Sequence, residues 1–241
     1  MKNILRIFVT LATSLAFFTH SGFSQGVIWE PTGGPSGQRI KALAINNDGT
    51  IFAGSWLANG QIFRSTDNGD HWQQVTNWTT QHSVWDLLVT PALEIFAATI
   101  GGAGVYISID NGDSWAPANN GLTTNAVNAI AINDSGYLFA ATDYGMFRST
   151  DRGENWQEIN SGLPQPYSVM VLTVAVDANN CVFIGTFGNG VYRSTNNGDT
   201  WEEKNNGINQ LFINSIVVHP DGSILAAPET GNGVYRSADS R

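Results

Sequence analysis

Asp86, Asp143 and Glu229 are acids at non-repeating positions of this 241-residue sequence. A carboxylate pair at a fixed separation could hydrolyse a glycosidic bond, one group as acid and the other as base or nucleophile. The histidines His71, His82 and His219 are isolated from one another in sequence. No Ser-His-Asp spacing, phosphate loop or cluster of metal ligands accompanies them, so no catalytic residue, no metal and no cofactor is expected. Asp67-Asn68-Gly69-Asp70 resembles part of a calcium loop, but the later bidentate Glu and the full spacing are missing. Cys181, the lone cysteine, lies in the apolar run Cys181-Val182-Phe183-Ile184 and reads as a small buried hydrophobe.

What must position these residues is a repeat. Ser65-Thr66-Asp67-Asn68-Gly69-Asp70-His71-Trp72 recurs as Ser108…Trp115, Ser149…Trp156 and Ser194…Trp201, and a fifth copy starts at Ser237-Ala238-Asp239. The serines step by 43, 41, 45 and 43 residues. Each period holds an alternating strand (Ile40 to Ile45, Val127 to Ile132, Ile213 to Val218) and a turn such as Asn47-Asp48-Gly49. An apolar strand closed by small residues follows (Ile51 to Gly54, Leu138 to Ala141), then a Gly-apolar-aromatic-Arg-Ser strand (Gly145 to Ser149) and a fourth bearing the motif Trp. Four antiparallel strands every 40–45 residues match a β-propeller blade, whose faces are buried only against neighbouring blades. The expected fold is therefore all-β, a propeller of about five repeats near 40–82, 84–125, 127–168, 171–211 and 213–241, either closed with five blades or part of a larger propeller. Val27 to Pro31, with Trp29 placed 43 residues before Trp72, reads as a closing fourth strand.

The motif belongs on the hairpin between strands three and four. Its Asn-Gly pair supplies the positive φ of a tight turn, and its Asp can accept backbone N–H groups across that turn. Its Trp buries apolar surface. Ser65, Asp67, Gly69 and Trp72, with Ser108, Asp110, Gly112 and Trp115, Ser149, Asp151, Gly153 and Trp156, and Ser194, Asn196, Gly198 and Trp201, are thus read as structural. Asn196 replaces the Asp in the fourth copy and is expected to weaken that turn. Arg64, Arg148, Arg193 and Arg236 recur in register and are expected to pack between strands rather than converge on a ligand.

This Ser-x-Asp-x-Gly-x-x-Trp pattern resembles the Asp-box, or BNR, repeat of sialidases, sortilin-type receptors, xyloglucanases and photosystem-assembly-factor-like propellers. The resemblance implies the fold and says little about activity, because the box is structural in all of them. A sialidase would need three convergent arginines, and only Arg39, Arg152 and Arg241 of the mature chain lie outside the repeating position. Gly121-Leu122-Thr123-Thr124-Asn125-Ala126-Val127, continued by Asp134-Ser135-Gly136 and Asp143-Tyr144-Gly145, is similar to the repeat of two-component regulator propellers. The resemblances imply two alternatives to a binding module: a fragment of a sialidase-like or xyloglucanase-like glycoside hydrolase, and a detached sensor propeller.

In such a blade the loop between strands two and three shares a face with the connections between blades. The residues that break the repeat there are Trp56, Trp78, His82, Tyr144, Tyr167 and Phe187. Their rings suit stacking on sugars or anchoring a protein.

Residues 1–24 read as a secretory signal peptide: Lys2 and Arg6 precede the apolar run from Ile7 to Phe18, and small residues precede Gln25. Removing them leaves 9 basic against 20 acidic side chains in residues 25–241. That charge repels phosphate, so nucleic acid is not expected as a partner. The expectation is a secreted protein (periplasmic, cell-surface or extracellular) with no stable membrane span after cleavage, binding an extracellular glycan or protein without catalysing a reaction.

Overall fold

The computed structural model describes residues 30–56, 60–76, 78, 82–164, 169–231 and 233–237. The chain divides into Met1–Pro31 and Thr32–Arg241, and the second unit carries every strand. The expected signal peptide, Tyr167 and Asp239 lie outside the described residues, as does most of the expected closing strand; Glu30 and Pro31 are not in a strand.

Among the described residues the strands form four four-stranded sheets and one three-stranded sheet, each a meander of strands consecutive in sequence with antiparallel pairing, as in Leu138–Thr142 against Gly145–Ser149. These sheets are the blades of a propeller. The first strands are Ile40–Ile45, Ser83–Val89, Val127–Ile132, Val171–Val176 and Ile213–Val218. Each packs on the first strand of the next blade, so they form the inner layer. Among the described residues no comparable packing joins Ile213–Val218 to Ile40–Ile45. Leu43 (67% exposed) and Val217 (53%) stay open on these two end strands, whereas the middle blades bury both faces.

Second strands form the core. Phe52, Phe96 and Phe139 are fully buried in them, and small partners such as Ala97, Ala140 and Gly185 let the sheets approach. The fourth strands are two residues each and begin just after the motif Trp rather than containing it: Gln73–Gln74, Ala116–Pro117, Gln157–Glu158 and Glu202–Glu203.

The boxes are built as their spacing requires. Asn68 and Gly69 have φ of 59° and 96°, and the pair is repeated at Asn111, Arg152 and Asn197 with their glycines. Asp67, Asp110 and Asp151 accept the backbone N–H of His71, Ser114 and Asn155 at 2.8–2.9 Å. Asn196 makes the same bond to Thr200 at 3.0 Å and donates its Nδ2 to Thr200 Oγ1 at 2.9 Å. The exchange keeps the turn's hydrogen-bond pattern, with a neutral amide oxygen in place of a charged carboxylate.

The motif tryptophans split into two pairs. Trp156 and Trp201 are buried, and their indole N–H groups cross to the preceding blade, onto the carbonyls of Ala118 and Ile159. Trp72 and Trp115 stay half-buried and donate to their own box carbonyls at Gly69 and Gly112. For Trp115 the cause is in the preceding connection. After the second and third blades the chain turns through Asn119-Asn120-Gly121-Leu122 and Asn160-Ser161-Gly162-Leu163. Those turns accept the backbone N–H of Trp156 and Trp201 through the carbonyls of Asn120 and Ser161. The first blade has Thr76-Asn77-Trp78 there instead, and Trp115 meets Trp78 edge-on at 6.0 Å.

Candidate functional site

Chain direction fixes which residues share a face. Each first strand ends at a short turn, the second returns, and the third descends again to the box. The loops between second and third strands therefore lie opposite the boxes, beside the connections that lead into each blade.

On this face the first two blades bring indoles and cations together. Trp56 follows strand Ile51–Ser55, and its backbone N–H donates to the Arg39 carbonyl at 2.8 Å, tying it to the start of the first strand. Its side chain is 43% exposed. Trp85 sits where the pairing register of Ser83–Val89 shifts between Val84 and Asp86; such a bulge re-aims the side chain it carries. The two indoles meet edge-to-face at 5.9 Å. Arg39 lies over Trp56 at 5.8 Å and Lys41 over Trp85 at 4.9 Å.

Asp86 lies beside them and is spent on structure. Its oxygens accept the backbone N–H of Leu87 at 2.9 Å and, across the blade boundary, of Ile130 at 3.0 Å. Burial pushes its carboxyl up to about 6, opposed by those two bonds and by the Lys41 charge. Thr173 Oγ1 accepts Ile216 N–H in the same way between the fourth and fifth blades. Asp143 accepts the Asn128 amide at 3.0 Å, and that amide also donates to the Val171 carbonyl. Glu229 is exposed on the fifth blade, with its backbone N–H on Phe212.

The sequence-derived ring residues divide. Trp56, Tyr144 (59% exposed) and Phe187 (48%) are open to solvent. Phe187 stands edge-to-face with Phe212 at 4.6 Å. Trp78 and His82 serve packing: Trp78 stacks on Tyr106 at 4.5 Å and meets His82 tilted at 4.7 Å, filling the boundary of the first two blades. His82 is 2% exposed, and burial, which disfavours the charged imidazole, pushes its pKa down. Trp85, Arg39, Lys41 and Phe212 were not singled out as binding residues in the sequence. Trp85 was detectable as the one aromatic residue in a column otherwise filled by Lys41, Asn128, Leu172 and Asn214.

The opposite face is a network of staples between blades. Arg64 reaches the Asn111 carbonyl and Asp113, and Arg148 reaches the Asn197 carbonyl and Asp199, each at 2.7–2.8 Å in the next blade's box. The recurring arginines at these two boundaries thus join blades.

No family model and no curated protein matches the chain. Solved structures do. An ancestral GH74 enzyme aligns with a TM-score of 0.65 at 23% identity, covering 83% of this chain and 29% of that one. PorZ, a surface component of the type-IX secretion system of Porphyromonas gingivalis, aligns at 0.67 and 16%, covering 89% and 33%. YCF48 bound to D1 peptide aligns at 0.63 and 20%, covering 84% and 65%. The chain spans about a third of the length of the first two. At these identities the similarity establishes a shared propeller fold.

Proposed function

We propose that the chain is an exported, non-catalytic propeller that holds a glycan or protein partner on the face carrying Trp56 and Trp85. The observation that supports this reading most is the exposed Trp56 indole, fixed by its backbone bond to Arg39 and set at 80° to Trp85. A rigid, partly exposed aromatic corner stacks on a ring or anchors a side chain at little entropic cost. The acids that could hydrolyse a glycoside are engaged or apart: Asp86 holds two backbone N–H groups and Asp143 holds Asn128.

Binding to a glycan and protein array, with Trp56→Ala and Trp85→Ala alongside, tests the reading. The proposal expects retention that falls at least tenfold in both variants. Turnover of an aryl glycoside that disappears in Asp143→Asn would replace it with an enzyme.

A further inference from the structure

Among the described residues, Arg64, Arg148, Arg152, Arg193, Lys204 and Arg236 each have a carboxylate within ion-pair distance. Arg39 and Lys41 have none; each lies instead over an indole ring. Both are exposed and two positions apart on the same strand end. The acid whose charge Lys41 feels is Asp86, which is engaged with the backbone N–H groups of Leu87 and Ile130, so both cations adjoin the exposed aromatic corner without an ion-paired carboxylate.

We infer that Arg39, Lys41, Trp56 and Trp85 form a subsite for a carboxylate-bearing sugar, a uronic acid residue of an acidic glycan. This rests on the binding reading above and gives it a ligand class. The chemistry of the four side chains divides accordingly. The carboxylate takes the guanidinium of Arg39, which offers a planar fork of donors, and the mobile ammonium of Lys41. The apolar C–H face of the pyranose lies on the open part of Trp56, with Trp85 as the wall of the corner. Cations already resting on indoles are partly desolvated, so an arriving carboxylate displaces less water from them. The chain's overall negative charge repels any polyanion at long range, which makes the contact local. A sugar is favoured over an acidic peptide because the corner offers a ring-sized apolar wall, and the adjoining first strand is already paired with the second along its length.

The test is an array of uronate-containing oligosaccharides, each printed beside its carboxyl-reduced form, with a tetraglutamate peptide as the competing class. The full chain is compared with Arg39→Gln, Lys41→Gln and Trp56→Ala, with folding checked by circular dichroism. The expected result is retention of at least one uronate and not its reduced partner, falling tenfold or more in each variant. Equal retention of acid and reduced forms, with loss only in Trp56→Ala, overturns this inference and leaves the binding reading standing. Retention of the peptide alone overturns the sugar assignment. If no probe is retained, this inference falls and the general glycan and protein array decides the binding reading; if a probe is retained and Trp56→Ala changes nothing, both readings fall.

Discussion

Arg152 of the third blade's box places its Nε 2.7 Å from Glu94 Oε1 in the turn of the second blade. At the boundaries on either side, the box residues matching Arg152 take part in amide pairs instead: Asn46 donates to Asn111 at 3.0 Å and Asn133 to Asn197 at 2.9 Å. The second blade also lacks the recurring arginine, having Ile107 in its place. One boundary thus uses a reversed ion pair where its neighbours use an amide pair and an arginine.

That exchange makes the pair interdependent. Glu94 is nearly buried, with a side chain 8% exposed, while Arg152 is largely open. Removing Arg152 strands a buried carboxylate, and removing Glu94 frees only an exposed guanidinium. Thermal melts are expected to show Arg152→Ala losing several degrees, Glu94→Gln losing less, and the double variant recovering part of the loss. Additive losses would show that the two side chains are not coupled.

Acid is expected to weaken the boxes unequally. The Ser114 hydroxyl and backbone N–H hold Asp110 at about 2, and the backbone and imidazole of His71 hold Asp67 at about 2. Both lie below the ordinary value of 3.8. Their contribution is therefore complete above about pH 4 and is lost as pH falls through about 2. Asn196 does not titrate. Amide exchange corrected for its intrinsic pH dependence should show Ser114 N–H opening in this range while Thr200 N–H stays protected, and Asn196→Asp should make Thr200 follow Ser114.

Asp86 is expected to act in the opposite direction. Burial raises its carboxyl from 3.8 to about 6, so the folded state favours its protonated form. That stabilisation is complete below about pH 4 and is lost as pH rises through about 6. At about 1.4 kcal/mol per unit, and discounted for the residual solvent contact of the side chain, it is on the order of 2 kcal/mol. Denaturant melts between pH 4 and 7 should show this slope relative to Asp86→Asn, in which it disappears. A slope unchanged in the variant would assign it elsewhere.

The glycines that open the third strands are fixed by a side chain. Gly145, at φ 97°, would place a Cβ 2.3 Å from Asn160 Oδ1, and Gly104 and Gly190 meet Asn119 and Asn205 in the same way. Each of these asparagines accepts the N–H of the following strand residue, Met146 at 2.8 Å in the third blade. Gly145→Ala should cost about 1–3 kcal/mol from backbone strain alone, with further loss as Asn160 is displaced. A denaturant midpoint equal to the parent's would contradict this.

The repeat was legible because Ser, Asp, Gly and Trp at fixed spacing each answer one demand of a tight hairpin, and their recurrence set the blade phase. The first strands were found with correct bounds where residues alternate, as at Val127–Ile132. The binding face was legible only in part. A loop Trp in sequence does not reveal whether a neighbouring turn leaves room for it. Trp78 falls where the first blade lacks the Asn-x-Gly turn of the others, so it fills the boundary with Tyr106 and His82. Trp85 lies inside an apolar strand, where an aromatic reads as core; only its column, with Lys41, Asn128, Leu172 and Asn214 at the matching positions, marks it as an exception, and its contact with Trp56 shows only in the fold.

The most direct test of the binding reading is the indole region of a proton–nitrogen correlation spectrum, recorded as a retained array ligand is added. The Nε1–H signals of Trp56 and Trp85, assigned through Phe variants, should shift progressively while those of the buried Trp156 and Trp201 stay fixed. Movement of Trp156 or Trp201 with Trp56 and Trp85 unchanged would contradict the account and place recognition elsewhere on the blades.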